Sequence, residues 1–109
     1  MRSTLAALLA LSALTAGAAP VLAATALPDP AECAAAAEVT IHDWQGRLAK
    51  ARSAEDAEVA RQQITRAEAV RRVTGNPATP PALHRKYMDL NPDLRDFFVV
   101  RCALKLGAI

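Results

Sequence analysis

Cys33 and Cys102 are the only cysteines in the chain. Joined, they would close nearly everything between them into one ring. Whether they join depends on compartment, because a disulfide persists only where the surroundings are oxidising. The N-terminus bears on that question. Met1-Arg2-Ser3 is a short start with one positive side chain, and Leu5 to Ala16 is a run of Leu and Ala broken only by Ser12 and Thr15. Gly17 and Pro20 follow, and Val21-Leu22-Ala23 places compact residues where a signal peptidase reads them. Residues 1–23 therefore read as a cleavable signal peptide, with Ala24-Thr25-Ala26 as a second cleavage candidate after Ala26. A membrane-spanning helix needs about 20 solidly apolar residues, and this run is shorter and interrupted. Pro30-Ala31-Glu32 before Cys33 is unlike the small, apolar residues of a lipid-attachment site.

Export changes the meaning of the composition. The hydrophobic share, 52%, is inflated by the signal and by alanine, so the large core formers suffice for one small domain only. The formal charge of +2 falls to +1 once Arg2 leaves, a balance that implies no polyanionic partner. Aromatic residues, at 4%, are too scarce for a base-stacking surface, so no nucleic acid is expected. In an oxidising compartment the even cysteine pair reads as a disulfide. It closes a loop of about 70 residues, worth roughly 4 kcal/mol in the chain-entropy model. The competing readings are free thiols or metal ligands. Neither cysteine has a second one two to four positions away, as zinc sites usually do. The expected location is periplasmic or secreted.

Residues 24–28 read as a short disordered lead, and 29–109 as a single helical domain. Asp29-Pro30-Ala31-Glu32 is a helix start, with Asp as N-cap, Pro at the first position and Glu32 reaching back to the cap. Ala34, Ala37, Ile41, Trp44, Leu48 and Ala51 then form an apolar stripe at helical spacing. Ser53 caps a second helix, whose first turn is acidic and whose stripe is Ala57, Ala60, Ile64, Ala67, Val70 and Val73. Gly75-Asn76-Pro77 stops it. A short helix fits Pro81 to Leu90. Asn91-Pro92-Asp93 opens a last helix, Leu94 to Leu106, that is apolar on most sides and stops at Gly107. The fold class expected is all-α, a small bundle of three main helices plus one short helix. One disulfide joins the first and last helices, and the last helix is expected in the middle.

Residues that could carry chemistry have structural explanations at hand. Ser53, the serine beyond the signal, is a cap. Glu38 and His42 stand one turn apart, but two ligands make no metal site. His84 sits among exposed residues beside a turn. Asp89-Leu90-Asn91-Pro92-Asp93 resembles the opening of an EF-hand loop, yet Leu94 stands where glycine is required and Val100 where a bidentate glutamate belongs. No metal, no cofactor and no enzyme activity are expected. Two surface features remain. Arg71, Arg72, Arg85 and Lys86 gather at one end of the bundle if the turn at 75–81 folds the flanking helices together, a patch for an acidic protein, a small anion or weak contact with an anionic membrane surface. Trp44 is a core residue or the wall of a groove for a partner helix.

Together these readings point to a non-enzymatic exported protein that binds another exported protein, as an accessory subunit, adaptor, inhibitor or small stress chaperone. The alternative is a module for a small ligand, anion or metal ion. In size, export and a single disulfide the chain resembles, in general plan, the small acid-stress chaperones of the bacterial periplasm, although its cysteines lie much nearer the chain ends. A chaperone role implies that acid exposes apolar surface. The bridge has its own check: thiol titration of the unfolded, unreduced mature chain should find no reactive thiol, and two would exclude it.

Overall fold

The computed structural model describes residues 28–109. The expected signal segment, 1–23, and residues 24–27 of the expected lead lie outside the described residues. The described chain forms four helices: α1, Pro30–Ala49; α2, Ala54–Val73; α3, Pro81–Asp89; and α4, Pro92–Lys105. The starts of α1, α2 and α4 are set by short polar side chains. Asp29 accepts from the Ala31 amide, Ser53 from the Asp56 amide, and Asn91 from the amides of Asp93 and Leu94. The cap at Asn91 accounts for the oxygen-rich stretch that resembles a calcium loop.

The stops of α2 and α4 share one geometry. Gly75 (φ 86°) and Gly107 (φ 71°) enter the left-handed region that L side chains avoid. The chain then turns back to satisfy the last carbonyls. The Asn76 amide donates to Arg71 O at 2.8 Å, and the Ala108 amide donates to Ala103 O at 2.8 Å. Glu32 departs from expectation. It does not reach back to its own cap; it pairs with Lys86 on α3. An ion pair that fastens another helix takes the carboxylate from the capping role.

Helix α1 is the hub: it packs against α2, α3 and α4. Its first half is buried on every side, with Cys33, Ala34, Ala35, Ala36, Ala37, Val39 and Thr40 all closed to solvent. Alanine makes this arrangement available, because a side chain of one carbon lets neighbouring backbones approach closely. Helix α2 answers with Ala60, Ala67, Ala69 and Val70, α4 with Val99, Cys102 and Ala103, and α3 with Tyr87. Tyr87 stacks on Phe98 with ring centroids 5.6 Å apart, joining α3 to α4. Cys33 and Cys102 are bonded across the centre, with their Cα atoms 5.9 Å apart.

The expectation that the last helix lies in the middle is corrected here. Helix α4 has one buried face, while Leu94, Phe97 and Leu104 stand out in solvent. Mean apolarity pointed to α4, but small side chains decide which helix can be surrounded. No described helix is long and apolar enough to cross a membrane. Ala36→Leu and Ala67→Leu should each destabilise the domain by about 1–3 kcal/mol through overpacking. Ala49→Leu, on the exposed end of α1, should change stability by no more than about 0.5 kcal/mol. Urea unfolding with the disulfide intact checks the contrast.

Candidate functional site

Two features of α4 stand out, one on each of its faces. The inner one is polar. Arg95, a charge that interrupts the apolar last helix, is only 4% exposed. Its guanidinium crosses to α1, where Nη2 donates to Asp43 Oδ2 at 2.9 Å, and Nη1 donates to the Tyr87 carbonyl of α3 at 3.2 Å. Asp43 Oδ2 also receives Arg47 Nη2 at 3.2 Å, one turn along α1. Beside this, Trp44 Nε1 donates to Asp96 Oδ1 at 3.1 Å, and the Arg47 guanidinium lies 4.4 Å from the centre of the Trp44 ring. Asp43, Trp44 and Arg47 of α1 thus meet Arg95 and Asp96 of α4 in one polar clip. Arg95 Nε is buried without a hydrogen-bond partner.

The electrostatics of the clip have a definite sign. Burial pushes the Asp96 carboxyl above the usual carboxylate range. The Trp44 hydrogen bond and the charges of Arg95 and Arg47 oppose that rise, and Asp43 adds to it. A carboxyl that holds its proton more tightly in the fold than in the unfolded chain stabilises the fold most below the ordinary carboxylate pKa. That contribution is lost as pH rises through the raised value. Asp96 therefore works against acid loosening.

The outer face of α4 carries three exposed apolar side chains and Arg101. Leu94, Phe97 and Leu104 are 60%, 70% and 63% exposed. With Arg101 they follow the three–four–three spacing that lines up one side of a helix. This side is turned away from Val99, Cys102 and Ala103. The pattern was present in the sequence as a second stripe, hidden because α4 is apolar on its other side as well.

Trp44, the basic residues and the histidines fall in different places. Trp44 is half-buried and, with Arg47, Lys50, Ala51, Asp56 and Val59, borders a cleft of about 410 Å³ between α1 and the start of α2. Of the four basic residues, two serve the fold. Arg71 donates to the Pro77 carbonyl at 2.9 Å and holds the turn, and Lys86 pairs with Glu32. That bond holds the Lys86 ammonium above its ordinary value. Arg72 and Arg85 are exposed. Glu38 accepts from the Thr79 hydroxyl, and His42 and His84 are exposed. Among the described residues no three His, Cys, Asp or Glu side chains are grouped as metal ligands.

Removing one partner of a buried ion pair costs about 3–5 kcal/mol, and the partial exposure of Asp43 places Asp43→Asn near the lower end. The double variant Asp43→Asn/Arg95→Met should recover most of that loss. Asp96→Asn, which keeps an acceptor for Trp44, should be neutral or stabilising at neutral pH. Thermal melts at fixed pH with Trp44 fluorescence as the probe distinguish the three.

Compared with models of known protein families, with curated proteins and with solved structures, the chain matches none of them, so the geometry has to carry the functional reading.

Proposed function

We propose that this is an exported, non-enzymatic helical protein that acts by binding another protein of its compartment, with the outer face of α4 as the contact surface. The observation that carries this reading is the exposure of Leu94, Phe97 and Leu104 in one row. Isolated apolar residues are ordinary on a protein surface, but an aligned row containing a largely exposed phenylalanine is the kind of surface that partners cover. Aromatic and aliphatic anchors of this sort contribute much of the binding energy at interfaces.

The rest of the molecule supports the reading. The disulfide suits an oxidising, exported setting, periplasmic or secreted. Ser53 is occupied as a helix cap, and both cysteines are spent on the bridge. The roles of accessory subunit, adaptor, inhibitor and small chaperone share this surface and differ in what it meets. A second reading, a small-ligand module, draws on a cleft of about 390 Å³ where Val39, Met88 and Pro92 adjoin His42, Asp43 and Arg95. Arg95 already spends both terminal nitrogens on Asp43 and Tyr87, which ranks that reading below protein binding.

The test is a cross-linking pull-down with the mature chain, tagged at its C-terminus, from the periplasmic extract of its own source. A stoichiometric protein partner should be recovered and lost in Phe97→Glu, with helicity and the disulfide unchanged. Recovery of no such partner, with a metal or small anion co-purifying, overturns the reading. A partner retained by Phe97→Glu removes the α4 face from it.

A further inference from the structure

A groove runs along the face of α2 that carries Glu58, Arg61, Thr65, Ala69 and Arg72. It measures about 580 Å³ and is bounded on its far side by the residues that follow α4. Its apolar lining is Ala69, 7% exposed, Ala108, half-buried, and Ile109, 61% exposed, beside the uncharged Gln62 and Thr65. Its rim is cationic, with Arg61, Arg66 and Arg72 against one acid, Glu58. None of the three guanidiniums is held by a strong internal partner. Arg61 meets Glu58 at 3.7 Å with both side chains 60% exposed, Arg66 donates to the neutral Gln63 at 3.2 Å, and Arg72 is exposed. An exposed pair of that kind contributes little and exchanges readily.

We propose that this groove receives an acidic segment of the partner protein that carries an apolar anchor. The inference rests on the protein-binding reading above and adds a second contact with its own chemistry. Charge complementarity selects the occupant: an excess of guanidiniums on the rim attracts carboxylates, and the planar fork of arginine matches a carboxylate in two-point contact. The apolar lining of Ala69, Ala108 and Ile109 favours an aliphatic anchor. Arg61 to Arg72 spans about 16 Å of helix, the length of about three turns of a docked helix. A membrane surface is the poorer fit. Headgroup recognition takes clusters of about four to eight basic residues, and the rim offers three arginines beside an acid.

Three synthetic helical peptides of about three to four turns test this. One carries Glu with two Leu anchors, its twin has Gln for Glu, and a third has Ala for Leu. Fluorescence anisotropy with the mature protein should show the acidic peptide binding, and both twins should bind at least about tenfold more weakly, a difference of about 1.4 kcal/mol. Binding should weaken as salt rises to about 150 mM, where charges are screened beyond about 8 Å. Arg61→Gln/Arg66→Gln/Arg72→Gln should lose binding, and Arg85→Gln should keep it. Equal binding of the Gln twin, or no effect of the triple substitution, overturns the proposal. So does binding of the protein to phosphatidylglycerol vesicles in place of the peptide, or occupation of the groove by a second copy, seen as a dimer in sedimentation that the triple substitution dissolves. Phe97→Glu should leave peptide binding intact, so failure here and failure of the α4 contact are told apart.

Discussion

The structure depends on the close approach of three helices around the first half of α1. From Cys33 to Thr40 that helix has almost no exposed side, and five of its buried residues are alanine or cysteine. Small side chains contribute little apolar area each, so a core built on them is modest in hydrophobic terms. It gains by density of packing and by the covalent bond placed in its midst. The bridge and the alanines belong together, because a disulfide requires its Cα atoms within about 7 Å and bulkier neighbours would hold the two helices apart.

The boundaries of this fold were legible in the sequence because they depend on local chemistry. Asp29, Ser53 and Asn91 cap helices, and Gly75 and Gly107 end them, through groups within a few residues of each other. The cysteine pairing was legible because no other pairing exists. What stayed hidden was which helix sits inside and which side of α4 faces out. Both are set by tertiary packing, where side-chain size outweighs mean hydropathy.

Arg95 shows the same limit from the polar side. In the sequence it is one charge interrupting an apolar helix, as Arg101 is. Its burial depends on Asp43, far away in the chain, and on a free carbonyl at Tyr87. No local pattern announces such a meeting. The basic cluster is the converse case. Arg71 and Lys86 looked available for a ligand and are engaged with the Pro77 carbonyl and Glu32, while the arginines of the α2 groove, spread along a helix, form no run that the eye would pick out.

The bond between Cys33 and Cys102 has a mechanical consequence. It lies toward the C-terminal end of α4, while Leu94 and Phe97 lie toward the other end, on either side of the polar clip. Helices α2 and α3 sit wholly within the covalent ring and cannot leave it. Helix α4 is tied covalently at Cys102 and, through Leu90 and Asn91, to the end of α3. Leu104, two residues from the bridge, is anchored directly by it, whereas the position of Leu94 and Phe97 against α1 rests on the noncovalent contacts at Asp43 and Trp44.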